Sequence, residues 1–171
     1  EAVRWLFHKG ITTTLVLVGQ ADSEFGRYYR QLTAGERQLI RPLGKIEEME
    51  KHELLRASSM LVLPSRVDSF GLVLLEAWAH GKPVIGARAG GVPGVISEGQ
   101  DGLLVSYGDV AGLAEAIALL LGDENLAQAL GRRGQRKLHA KYSWDKVCDR
   151  VSAAYDLALA NAEAATDTGE R

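Results

Sequence analysis

Two carboxylates, Asp68 and Glu76, stand in the run Pro64-Ser65-Arg66-Val67-Asp68-Ser69-Phe70-Gly71-Leu72-Val73-Leu74-Leu75-Glu76, with seven residues between them. The apolar Met60-Leu61-Val62-Leu63 before it reads as a strand, and a helix is expected from about Leu72. At such a helix start the N–H groups of Gly71, Leu72 and Val73 lack intrahelical partners and carry the positive end of the dipole. A phosphate binds there without a metal or a basic side chain. Gly71, with no Cβ, lets an anion come close to the backbone. Glu76 sits on a helix that is apolar on every side, where a carboxylate is costly unless it is hydrogen-bonded. The paired hydroxyls of a ribose would satisfy its two oxygens. The alternative is an Arg or Lys brought from elsewhere in the fold. Asp68 either points into the same crevice or serves as an ordinary loop or capping aspartate.

The elements around this run alternate. Thr14–Val18 closes at Gly19 and reads as a buried parallel strand; Ser23–Ala34 reads as a helix. A short strand over 38–42, a charged helix over 47–57, the Met60 strand, the helix after Gly71 and a strand over 83–86 follow. A glycine loop at Gly90-Gly91 leads on to a turn at Gly99–Gly102 and an edge strand at Leu103–Val105. Beyond Gly108 the pattern is helical: Asp109, Asp123 or Glu124, and Ser143 are expected to start three helices. The last carries Trp144, Val147, Cys148, Val151 and Tyr155 on one apolar face. Strands alternating with helices predict an α/β open parallel sheet covered on both faces. Ligands of such sheets sit outside the carboxyl ends of the strands, so the loop after each strand is the place for a site.

Composition narrows the function classes. The chain has 171 residues, 20 Lys and Arg against 22 Asp and Glu, and a net charge of −2. No global basic field exists to hold a nucleic acid. The apolar runs fall short of the roughly 18 residues of a spanning helix. A single cysteine, Cys148, favours a reducing compartment. His8, His52, His80 and His139 are scattered without metal-ligand spacing, and no P-loop or nucleophile-elbow pattern occurs. The basic run Arg132–Lys137 reads as a solvated helix face, the alternative being contact with a partner or an anionic membrane surface.

The acidic residue, seven-residue gap and Glu, wrapped around Ser-Phe-Gly-Leu-Val and followed by Glu-Ala-x-Ala-x-Gly-x-Pro-Val, resemble the donor-binding, C-terminal domain of family-4 (group 1) glycosyltransferases. The likeness covers nearly the whole chain. It takes in Leu15–Gly19, Leu43-Gly44, Leu61–Ser65, Gly90–Pro93, Gly99–Val105 and Tyr142–Trp144. It implies a Rossmann-like domain, over 1–160 with a frayed tail at 161–171, of a two-domain GT-B enzyme that retains anomeric configuration.

By the same resemblance, Glu76 would bind the ribose of a nucleotide-diphosphate sugar. Asp68 stands where the family usually has Glu and would meet hydroxyls of the transferred sugar. Both belong to the catalytic site as positioning groups, neither as nucleophile nor as general base. Ser69 and the amides of Phe70, Gly71, Leu72 and Val73 would hold sugar and diphosphate. The Arg41–Gly44 segment, through Arg41, Leu43 and Gly44, would meet the base, Glu53, Leu54 and Ser65 would line the nucleotide pocket, and Gly19 would edge the cleft. Two departures stand out: Asp68 is one methylene short, and the family's diphosphate-neutralising Arg and Lys have no counterpart, since Lys9-Gly10 lies in another context. The expected partners are the donor, an N-terminal acceptor domain outside this chain, and an acceptor sugar or lipid-linked glycan. No cofactor or metal and no nucleic acid is expected, in a cytoplasmic setting with contact at the inner face of a membrane. The rival readings are a regulatory nucleotide-sugar-binding domain and, behind it, a nucleotide-sugar epimerase of the same fold.

Overall fold

The computed structural model describes the backbone of residues 1–167 and the side chains of residues 1–161. Its elements, in order, are α1 (Ala2–His8), β1 (Leu15–Val18), α2 (Ser23–Gln31), α3 (Ala34–Gln38), β2 (Ile40–Gly44), α4 (Glu48–Ala57) and β3 (Leu61–Leu63). There follow α5 (Leu72–Ala79), β4 (Val84–Ala87), α6 (Val92–Val95), β5 (Leu103–Val105), α7 (Val110–Gly122), α8 (Glu124–Lys137), a π-helical turn (Leu138–Tyr142) and α9 (Trp144–Asp167). Every strand pairing is parallel.

Strand β4 shows why both faces must be covered. Its four residues Val-Ile-Gly-Ala are all buried, and successive side chains of a strand point to opposite faces. Ile85 joins Ala2 and Leu6 of α1, Ala114, Ile117 and Leu120 of α7, and Leu130 of α8. Val84 joins Leu55 of α4, Leu74, Ala77 and Trp78 of α5, and Val92 and Val95 of α6. The result is the expected Rossmann-like α/β arrangement. The strands form two hydrogen-bonded sets, β1-β2 and β3-β4-β5, rather than one continuous ladder. β1 and β3 instead both line a cavity of about 680 Å³.

Several local expectations change. The helix expected over 23–34 ends at Gln31, because Thr33 and Glu36 form a capping box that starts α3 afresh. The basic run is not wholly solvated. The Lys137 ammonium is largely buried, 2.8 Å from Asp101 Oδ2 and 5.4 Å from the Trp78 ring. α8 approaches so closely because Gly134 lies against that indole and Gly131 against the Gly81 carbonyl, where no side chain fits. The last helix leaves its apolar face outside: Trp144 and Tyr155 are exposed, and Cys148 is exposed rather than packed as a small hydrophobe. The segment expected as a tail from 161 continues α9 through Asp167, while residues 168–171 lie outside the described residues. Its alanines suit a helix interior, which is why the backbone goes on.

Candidate functional site

The loops that follow β3 and β4 meet. After β3, the chain turns at Asp68, whose Oδ1 accepts hydrogen bonds from the amides of Phe70, at 2.9 Å, and Gly71. Gly71 takes a left-handed conformation, φ 78°, and is buried at the start of α5. After β4, the Gly91 amide donates to the Asp68 carbonyl at 2.7 Å. A Cβ on Gly91 would strike the Ser69 carbonyl, and one on Gly90 the Asp68 carbonyl. Two glycines thus let one loop brace the other.

This geometry revises the amide cradle. The Gly71 N–H is not free, since Asp68 Oδ1 takes it along with that of Phe70. Leu72 and Val73 keep the unpaired amides of the first helical turn. Leu72 is exposed and Val73 half-buried at that end. The Phe70 ring packs edge-on against Tyr142, their centroids 5.6 Å apart.

Glu76 comes one turn further along α5, beside buried Ala77 and Trp78. Its side chain is not buried but 30% exposed, and its Oε1 lies 2.9 Å from the Lys51 ammonium of α4. Lys51 also reaches Glu48 Oε1 at 2.8 Å. The Glu48 and Glu76 carboxylates hold the ammonium above its usual pKa. Next to this pair, His52 Nδ1 and His80 Nε2 are 2.9 Å apart.

The remaining candidates fall into separate groups. The Gly19 amide donates to the Gly44 carbonyl at 2.8 Å, joining the ends of β1 and β2. Leu43, Glu53 and Leu54 line a shallow pocket of about 610 Å³ with Lys45, Ile46 and Glu50. Leu54 and Val73 also line the larger cavity, with Lys51. Arg41, opposite Val16 in the β1-β2 register, is exposed and lines neither. Ser65 and Ser69 lie on either side of Asp68 in the loop between β3 and α5. Lys9 lies over the Trp5 ring at 5.3 Å, between α1 and β1 in the chain.

The sequence pattern described as "Glycosyl transferases group 1" matches residues 1–137, from α1 to the end of α8. The chain belongs to the group 1 glycosyltransferases. It is 40% identical over 113 residues to the N-acetyl-alpha-D-glucosaminyl L-malate synthase of Bacillus anthracis, covering 66% of this chain and 29% of that enzyme. The C-terminal domain of a group 1 glycosyltransferase (LpcC) from Francisella tularensis superposes with a TM-score of 0.67 at 28% identity, over 77% of this chain and 70% of that one. Anabaena HepE in complex with UDP-glucose gives a TM-score of 0.75 at 23% identity, over 84% of this chain and 40% of that one, a likeness of fold.

For this glycosyltransferase domain, the sequence singled out the Asp68–Glu76 segment but missed two of its supports, Lys51 and Gly90-Gly91, and the histidine pair nearby. Lys51 reads as one charge among many on a helix surface. Gly90-Gly91 reads as a loop, with nothing to say which backbone it must approach. His52 and His80 look unrelated because 27 residues separate them. Among the described residues, no group of three His, Cys, Asp or Glu is placed to hold a metal ion, and no helix is long and apolar enough to cross a membrane.

Proposed function

We propose that this chain is the donor-binding half of a retaining glycosyltransferase, which moves a glycosyl group from a nucleotide-diphosphate sugar to an acceptor hydroxyl. One observation carries the reading: the unpaired amides of Leu72 and Val73 and the half-exposed carboxylate of Glu76 follow one another along the first turns of α5, beyond the carboxyl end of β3. Amides at a helix start suit a diphosphate, and a carboxylate one turn on suits the vicinal hydroxyls of a ribose. The UDP and UDP-glucose bound by HepE support the same ligand class for this fold.

In this reading the diphosphate lies against the start of α5, where the helix dipole and free N–H groups stabilise the charge that grows on the leaving group. Glu76 accepts from the ribose hydroxyls and fixes the nucleotide. Asp68 spends Oδ1 on its own loop and keeps Oδ2 for a hydroxyl of the transferred sugar. Alignment of leaving group and acceptor then does the rest, and it needs an acceptor-bearing domain on the other side of the cleft. The proposal includes no metal ion. It places the protein in the cytoplasm, with its acceptor, a sugar or lipid-linked glycan, at the inner face of a membrane.

Calorimetric titration of the chain with UDP, GDP and ADP tests the site. At least one should bind, and Glu76→Gln should weaken it by about tenfold, the loss of a charge-assisted pair of hydrogen bonds. Absence of binding by all three, or an unchanged affinity in Glu76→Gln, rejects the assignment.

A further inference from the structure

We propose that Lys51 is a positioning residue that aims the Glu76 carboxylate at the ribose, an inference that rests on the function proposed above. The backbone of Glu76 is already fixed, because Leu74, Ala77 and Trp78 on either side of it are buried without exposure or nearly so. What remains free is its side chain, which is 30% exposed and carries three torsions of its own. Lys51 removes that freedom. Its ammonium binds Glu76 Oε1 at 2.9 Å and is itself steered from the other side by Glu48 Oε1 at 2.8 Å. The Lys51 side chain is three-quarters buried, on a helix packed against α5, so it is a fixed anchor rather than a waving surface charge.

The geometry also leaves room for a ligand. An ionised carboxylate has about four acceptor positions on two oxygens, and Lys51 takes one of them, on Oε1. Oε2 stays available to a pair of vicinal hydroxyls. Lys51 further lines the same cavity as Val73, whose amide belongs to the phosphate-binding helix start. Pre-setting a binding group lowers the ordering cost that association must meet.

The inference is tested with calorimetry on three variants, Lys51→Met, Lys51→Arg and Glu76→Gln, using whichever of UDP, GDP and ADP binds the chain most tightly and its 2′,3′-dideoxy analogue. Lys51→Met should weaken the ribonucleotide about two- to fivefold, the range of a partly exposed ion pair, and leave the dideoxy analogue unchanged. Lys51→Arg should restore the ribonucleotide affinity to within about twofold, since the guanidinium can make the same contact. In the Glu76→Gln background Lys51→Met should add nothing further, as expected when two groups act through one contact. An equal loss for both nucleotides shows a structural role and overturns the inference. So does an unchanged or tighter affinity in Lys51→Met, the latter meaning that the lysine competes with the ribose. If Glu76→Gln weakens binding while Lys51→Met does not, the donor site stands and only the role of Lys51 falls. If Glu76→Gln has no effect, both fall.

Discussion

The Gly91 amide donates to the Asp68 carbonyl at 2.7 Å, and this contact sets how closely the loops after β3 and β4 can lie. A Cβ at Gly91 would meet the Ser69 carbonyl, which is backbone and has no rotamer to escape into. Gly91→Ala should therefore destabilise the fold by about 2–4 kcal/mol, in the range of severe overpacking. Urea denaturation measures it; a midpoint equal to that of the unaltered chain would show that the loops separate at no cost.

Asp68 acts on its own loop before it acts on any sugar. Its Oδ1 accepts from both Phe70 and Gly71 at the entry to α5. Asp68→Ala should cost about 1 kcal/mol, the usual loss when a capping side chain is removed, and Asp68→Asn, which keeps an acceptor oxygen, should cost less. The same urea experiment separates them. Equal stability of all three proteins would mean that the turn holds without the carboxylate.

Glu36 gives the fold an acid limit. It is almost wholly buried, receives the Thr33 amide at 2.8 Å and meets Arg4 Nε at 2.6 Å. The Thr33 amide first, and the Arg4 guanidinium after it, hold its pKa down to about 2. An unfolded glutamate titrates near 4.3. Between these values the unfolded chain binds the proton and the folded one does not. The stabilisation is thus complete above about 4.3 and is lost as pH falls toward about 2. The stability gap between the unaltered chain and Glu36→Gln should be constant from pH 6 to 8, by that argument, and should narrow below about 4. A gap that stays constant to about pH 3 would contradict it.

The histidine pair gives a second and milder dependence. A hydrogen bond between His52 and His80 needs one unprotonated ring nitrogen as acceptor. Burial of His80, and then the charges of Arg56, His52 and Lys82, lower its pKa from the usual 6.5. A folded value below the unfolded one means that the unfolded chain takes up more protons in the window just below 6.5. Stability should therefore rise with pH through that window and fall on acidification. His80→Gln should flatten this slope in urea midpoints taken between about pH 5 and 8. A slope that survives the substitution would place its origin elsewhere.

Much of this was written in the residue pattern. The apolar runs at Leu15–Val18, Leu61–Leu63 and Val84–Ala87 are strands as local propensity predicts, but only Val84–Ala87 is completely buried; Leu15–Leu17 and Leu61–Leu63 are half-buried and Val18, expected inside, is exposed. Asp109 and Asp123 cap their helices as their positions predict, accepting from Gly112 and Leu126. The Asp68–Glu76 segment and its helix start were legible for the same reason: a strand, a turn and a helix entry are all local signals.

Tertiary structure alone decided who meets whom. No spacing pairs Lys51 with Glu76, His52 with His80 or Lys137 with Asp101, because these residues come from elements 25, 28 and 36 positions apart and meet only when helices pack. A buried lysine and a solvated one look alike in a basic run until the opposing surface is known. The same holds for α9, whose apolar face was predicted from its period but whose exposure was not. Periodicity fixes which side chains share a face, whereas burial depends on a second surface, and that is a property of the packed molecule rather than of the segment.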